Sequence, residues 1–203
     1  MTTSQFSVLF ATLSVGCWAG TIATVATLIA ARLRPEGGAA AVLESVLRVA
    51  LWLAWIVAAV TTFGSLYYSL VAHFEPCELC WYQRICMYPL TAVLLVAAIR
   101  HDRRVWWYVV PQAAIGAVIA TYHTQLQAFP KQATFCSAFN PCTTRYVWEF
   151  GFVSLPFMAL AAFVFIITMT LLARTGTHAP AAAPPPADTP DERACNRTEV
   201  TSR

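Results

Sequence analysis

Five apolar stretches, each long enough to cross a lipid bilayer, dominate this 203-residue chain. A membrane-spanning helix needs about 20 consecutive, mostly apolar residues. The composition agrees, because 58% of the residues are hydrophobic and only 11% are charged, whereas a soluble domain carries about 25% charged residues. The sequence therefore predicts an all-α integral membrane protein, with spans at about residues 6–31, 46–72, 81–99, 105–122 and 152–173.

The distribution of basic residues orients these spans. Ten of the 13 lysines and arginines lie between spans one and two or at the very start of span two, between spans three and four, or after span five. Such segments stay on the cytoplasmic side, so an odd number of spans puts the amino terminus outside. The net charge of +3 is too small to indicate nucleic-acid binding. A cleaved signal peptide is the alternative for the first segment, but its apolar run is too long and lacks a basic leader.

Four of the seven cysteines fall in predicted outer loops. Cys77 and Cys80 form a Cys-x-x-Cys pair before span three, and Cys136 and Cys142 lie between spans four and five. Disulfides persist on that side of a membrane, and such small rings constrain an unfolded chain little, so redox chemistry is favoured. Structural disulfides and a Cys₄ zinc site are the alternatives. We assign no role to the other three cysteines, which are Cys17, Cys86 and Cys195.

The residues around the Cys-x-x-Cys pair predict the start of a helix. Pro76 fits a first helical turn, and this places Cys77 and Cys80 near exposed amide dipoles that favour a thiolate. Arg84 follows Cys80 by four residues and therefore shares its helix face. Because a charge in an apolar span is costly without a partner, we expect Arg84 to stabilise a Cys80 thiolate or to bind a carbonyl of a lipid-soluble quinone. The alternative is that Arg84 extends to the lipid headgroups.

Several motifs together resemble the DsbB/BdbC family of disulfide bond formation proteins. The resemblance covers roughly residues 50–173. It implies a four-helix bundle made from spans two to five, with span one as an addition. The matching segments are CELCWYQRI (77–85), MYPL (87–90), YHTQLQ (122–127), PCT (141–143), FGF (150–152) and LP (155–156).

With this resemblance, the chain divides into three predicted parts. Residues 1–45 hold the additional helix and a cytoplasmic linker, and residues 46–174 hold the DsbB-like redox core. Residues 175–203 are rich in proline and predict a disordered cytoplasmic tail. The implied location is the bacterial cytoplasmic membrane, with both redox loops on the extracytoplasmic side.

The resemblance implies a membrane thiol:quinone oxidoreductase that reoxidises a DsbA/BdbD-like thioredoxin-fold thiol oxidase. The reduced partner would attack a Cys136–Cys142 disulfide, with Cys136 forming the mixed disulfide and Cys142 resolving it. Electrons would then pass to Cys77 and Cys80. Cys80 would react with a membrane quinone, either ubiquinone or menaquinone.

Two further residues are implied to bind the quinone, Arg84 and His123. From its position alone, His123 is an interfacial polar residue at the end of span four, and only its alignment with a family histidine gives it a quinone-facing role. The short spacing of Cys136 and Cys142 resembles the BdbC branch more than the longer loop of proteobacterial DsbB. Gln83 stands where some members carry glutamate.

Three other functions remain to be distinguished. A protein similar to vitamin K epoxide reductase also couples loop cysteines to quinone, but its Cys-x-x-Cys pair usually follows the loop pair, whereas here it precedes it. A cytochrome b-like subunit would use His73 and His123 as haem ligands. A membrane scaffold would use the four loop cysteines for structural disulfides or zinc.

Overall fold

A computed structural model describes residues 3–33, 38–130 and 141–175. These residues form five long α-helices, and a 3₁₀ turn at Arg103–Val105 leads into the fourth. Each of the five is long and apolar enough to cross a membrane, which confirms the predicted all-α fold with five spans. The predicted tail lies almost wholly outside the described residues. The helices are α1 (Thr3–Leu33), α2 (Gly38–Leu70), α3 (Glu78–Arg100), α4 (Trp106–Ala128) and α5 (Leu155–Thr175).

Helices α2 to α5 form a closed ring. α2 packs on α3, α3 on α4, α4 on α5, and α5 back on α2, which is the four-helix bundle expected from spans two to five. Helix α1 lies outside this ring and packs against α2 and α5. The bundle interior is filled by apolar side chains that include Ala54, Leu90, Val109, Phe163 and Ile166, all fully buried.

A glycine allows α4 and α5 to approach closely. A Cβ atom at Gly116 would lie only 2.4 Å from Cζ of Phe163, so the aromatic ring occupies the space that any larger residue would need. Small residues at helix contacts are the usual means by which membrane helices pack tightly.

The helix ends differ from the predicted spans where polar residues continue a helix. α2 begins at Gly38, so the division predicted at residue 45 falls inside a helix; a Glu44–Arg48 ion pair of 2.7 Å lies on its exposed first turns. α4 continues to Ala128 and therefore carries the polar segment after residue 122. α5 begins at Leu155, after a turn in which Phe150 and Gly151 have positive φ.

Candidate active site

Both loops that carry redox cysteines meet at one end of the bundle. Phe74, between α2 and α3, stacks on Tyr146, between α4 and α5, with ring centroids 4.8 Å apart. Below this contact, Cys77 and Cys142 are buried in one apolar cluster with Leu126. The fold therefore brings a cysteine of each loop to the same buried position.

The Cys-x-x-Cys pair caps the start of α3. Cys77 has an extended backbone and is the N-cap residue, and its carbonyl accepts the first helical hydrogen bond from the Trp81 N–H at 3.1 Å. Pro76 therefore precedes the cap and does not occupy the first turn as predicted. Cys77 and Cys80 are free thiols with their Sγ atoms 2.9 Å apart. A disulfide can form between them with little movement of the backbone.

His123 lies in contact with both redox loops. It is buried on α4, and its Nε2 is 3.7 Å from Sγ of Cys77 and 3.1 Å from the carbonyl oxygen of Cys142. Its Nδ1 is 3.0 Å from Nε2 of Gln83. Because an amide nitrogen only donates, Nδ1 accepts and the ring proton lies on Nε2, facing Cys77 and Cys142. Both ring nitrogens thus have protein partners, which argues against His123 as a haem ligand.

These contacts favour the thiolate form of Cys77. The hydrogen bond from the Cys80 thiol is the main cause that lowers the pKa of Cys77, and His123 lowers it further. Burial acts in the opposite direction and is outweighed. A lowered pKa favours the thiolate, which is both the better nucleophile at neutral pH and the better leaving group.

The segment that carries Cys142 is anchored to the end of α4. Cys142 is disulfide-bonded and buried; Cys136 lies outside the described residues, so the predicted Cys136–Cys142 pairing stays a prediction. The side chain of Gln127 donates to the carbonyl of Thr144 at 3.1 Å, and Arg145 donates back to the carbonyl of Gln127 at 3.1 Å. These bonds hold Cys142 over His123.

Arg84 connects α3 to α2. Its guanidinium donates to the side chain of Ser69 and, at 3.4 Å, to the carbonyl of Ser65, and it lies over the Trp81 ring at 5.3 Å. These partners are protein groups, so Arg84 does not extend freely to the headgroups. Its hydrogen bonds within the described residues go to α2 and not to either thiol of the Cys-x-x-Cys pair.

A mostly apolar cavity of about 240 Å³ lies beside Cys80. Its walls come from α1, α2, α3 and the start of α5, and the polar side chains facing it include Ser65, Gln83, Arg84 and Tyr88. His123 does not line this cavity. It lines a separate small cavity together with Cys77, Pro141 and Thr144, the last two of which lie close to Cys142 in the sequence. Cys80 borders both cavities.

The predicted site residues therefore fall into two groups. Cys77, His123 and Cys142 form the buried group, and Arg84 faces the apolar cavity, with Cys80 between them. Gln83 was noted in the sequence only as a departure from glutamate, yet it is buried and fixes the His123 ring. The sequence feature that could have indicated Gln83 is an uncharged polar side chain within an apolar span, one helical turn after Cys80.

Comparison with known proteins identifies the family. The family model described as Disulfide bond formation protein DsbB matches residues 47–173. The chain belongs to the DsbB family. It is therefore a multi-pass membrane protein of disulfide formation, an oxidoreductase that acts with a thiol–disulfide partner. This membership excludes the alternatives based on vitamin K epoxide reductase and on a cytochrome b-like subunit.

Curated relatives support the same assignment. The chain is 45% identical over 126 residues to Disulfide bond formation protein C of Bacillus subtilis, which covers 61% of this chain and 91% of that protein. It is 44% identical over 126 residues to Probable disulfide formation protein C 1 of Bacillus cereus, covering 61% and 90%. It is 44% identical over 115 residues to the Probable disulfide formation protein of Coxiella burnetii, covering 55% and 78%. No solved structure matches the chain.

Proposed function

We propose that this DsbB-family protein is a thiol:quinone oxidoreductase that reoxidises an extracytoplasmic DsbA/BdbD-like thioredoxin-fold protein. The observation that carries the proposal is the position of Cys80, which borders both the buried cysteine cluster and the apolar cavity. In the net reaction, the partner dithiol loses two electrons and two protons and becomes a disulfide, while the quinone gains them and becomes a quinol.

The first half of the reaction regenerates the partner's disulfide. A thiolate of the reduced partner attacks the loop disulfide that includes Cys142, and Cys136 is the proposed site of the mixed disulfide. The partner's second thiolate then attacks that mixed disulfide and releases the oxidised partner. Cys136 and Cys142 are left as a dithiol that carries the two electrons.

The second half passes these electrons to the Cys-x-x-Cys pair. The Cys142 thiolate attacks Cys77 of the oxidised pair, so a Cys142–Cys77 bond forms, the Cys77–Cys80 bond breaks, and Cys80 leaves as a thiolate. Cys136 then attacks Cys142, restores the loop disulfide and releases Cys77. The shared burial of Cys77 and Cys142 supports this route, as does the lowered pKa of Cys77, because a low-pKa thiolate leaves faster.

The cavity beside Cys80 fits a quinone ring. Ligand pockets combine apolar walls with a few polar groups that fix orientation, and here Gln83, Arg84 and Tyr88 supply donors among apolar neighbours. Ser65 and Ser69 hold the Arg84 guanidinium in place, so its N–H groups are oriented before an acceptor arrives. A bound quinone, ubiquinone or menaquinone, would supply the oxidising power. We assign Arg84 to direct contact with it, and His123 to the Cys77 side of the site.

A quinone also meets the energetic requirement. A thioredoxin-fold oxidase of this kind has a reduction potential as high as about −120 mV. Each 30 mV is worth about 1.4 kcal/mol for a two-electron couple. Reoxidation of this partner by an ordinary protein disulfide, which has a lower reduction potential, would therefore be energetically unfavourable. An acceptor dissolved in the lipid removes that cost and can diffuse directly to the cavity beside Cys80.

The proposed location is the bacterial cytoplasmic membrane. Both redox loops lie at one end of the bundle, and most arginines lie in the segments at the other end or in the tail. By the positive-inside rule, the redox end faces the extracytoplasmic side and the carboxyl terminus is cytoplasmic.

The test is partner-driven quinone reduction by the purified protein in lipid nanodiscs, followed by the loss of quinone absorbance. Cys80→Ser should abolish turnover. Cys86→Ser is the matched control, because Cys86 is a buried free thiol in the same helix and has no role in the proposed route. Turnover that survives Cys80→Ser would refute the proposal, and a mixed disulfide trapped at Cys142 instead of Cys136 would reverse the proposed order of attack.

A further inference from the structure

Helix α1 docks on the bundle through specific contacts. Phe6 stacks on Tyr67 with ring centroids 4.0 Å apart, and the Tyr68 hydroxyl donates to Oγ of Ser7 at 3.2 Å. The Phe10 ring fills the space next to Gly64, where a Cβ atom would lie 2.8 Å from it. The region matched by the DsbB family model begins at residue 47, so α1 is outside it.

One face of α1 lines the cavity beside Cys80. Its contributing residues are Phe10, Leu13, Ser14 and Cys17. Their spacing of three, four and seven residues places them in a single stripe along the helix. Helix α1 therefore supplies four of the residues that line the cavity.

We propose that α1 is a wall of the electron-acceptor site and that its cavity-facing stripe sets the size of the quinone ring that reaches Cys80. This inference rests on the proposed function. An apolar pocket discriminates between ligands by the volume that its walls leave free, and one methylene changes selectivity by about tenfold or more. Leu13 and Ser14 are therefore specificity-determining residues for ring size.

The experiment compares the steady-state kcat/KM for a short-chain one-ring benzoquinone and a short-chain two-ring naphthoquinone. Leu13→Ala enlarges the cavity and should raise the two-ring to one-ring ratio about tenfold. Ser14→Phe fills the cavity and should lower the ratio. Leu9→Ala is the matched control for Leu13, because the two leucines are similarly exposed, at 43% and 45%, but only Leu13 lines the cavity. Val15→Phe is the control for Ser14.

The outcomes separate the two proposals. Opposite shifts of the ratio in the cavity variants, with no shift in the controls, support the role of α1. If the unmodified protein reduces quinone but Leu13→Ala leaves the ratio unchanged, the inference about α1 is overturned and the proposed function stands. If the unmodified protein reduces neither quinone, the proposed function itself fails. Should Ser14→Phe not fold, the comparison of Leu13→Ala with Leu9→Ala decides alone.

Discussion

Replacing Cys80 by alanine removes the closest hydrogen-bond donor to the Cys77 sulfur, which lies 2.9 Å away. This donor is the main cause of the lowered Cys77 pKa. A hydrogen bond to a charged group is worth about 1.5–3 kcal/mol, and one pKa unit corresponds to about 1.36 kcal/mol. We therefore expect the pKa of Cys77 to rise by about 1–2 units in Cys80→Ala.

The sign of the effect follows from the titration. Because the pKa of Cys77 is lowered in the folded protein, its thiolate is populated from that lowered pKa upward. Alkylation requires the thiolate, so the pH of half-maximal alkylation should lie below the ordinary thiol value of about 8.5. Loss of a donor to the thiolate moves this midpoint to higher pH.

The assay is the rate of Cys77 alkylation by iodoacetamide from about pH 3 to about pH 10, a range that includes both the lowered pKa of Cys77 of about 4 and the ordinary thiol value of about 8.5. Mass spectrometry identifies the site of modification. Cys80→Ser is the control, because a hydroxyl keeps a donor and both variants leave Cys77 without its neighbouring thiol. Coincident profiles for Cys80→Ala and Cys80→Ser, or a lower midpoint in Cys80→Ala, would refute the assignment of the Cys80 hydrogen bond as the main cause.

Three further predictions concern the bundle, the cavity and metal binding. Gly116→Ala should lower the free energy of unfolding by about 1–3 kcal/mol, measured by thermal unfolding, because its Cβ would overlap the Phe163 ring; Gly16→Ala, with open space around it, should have no such effect. Arg84→Lys removes the planar guanidinium that donates to two groups of α2. This variant should raise the KM for quinone about tenfold, as loss of one charged hydrogen bond would, without slowing reduction of the Cys-x-x-Cys pair by the loop cysteines. An unchanged KM would contradict the prediction. Zn²⁺ should bind the reduced protein, as measured by calorimetry, because the ligand atoms of Cys77, Cys80 and His123 all lie within 4.8 Å of one another. Equal binding of Zn²⁺ by the oxidised protein would contradict this site.

The membrane fold could be predicted because the signal is local. Each span is a run of apolar residues of the right length, and hydropathy alone indicates it. The errors occur where polar residues extend a helix. His123 and Gln127 lie on α4 beyond the predicted end of span four, because membrane hydropathy indicates where lipid begins but not where helical hydrogen bonds stop.

The redox site could be predicted only in part. Cys77 and Cys80 are close in sequence, so their pairing follows from spacing. The contact between Cys77 and His123, which are 46 residues apart, depends on how α3 and α4 pack. The same packing brings Gln83 to the second nitrogen of the His123 ring. Contacts between distant helices produce no repeating pattern in a single sequence. The sequence therefore indicated His123 as a candidate but not its contacts with Cys77 and Gln83.

The position of α1 beside the cavity could not be predicted at all, for a reason specific to membrane proteins. In a soluble helix, an apolar stripe marks the buried face, because the opposite face is polar. In a bilayer both lipid and protein are apolar, so Leu9, which lies outside the cavity, and Leu13, which lines it, are the same residue type at similar exposure. What distinguishes them is the docking of α1, which depends on the small residue Gly64 on another helix. Packing, and not hydropathy, determines which face of such a helix contacts the rest of the protein. The comparison of Leu9→Ala with Leu13→Ala therefore tests a difference between two leucines that is visible only in the structure.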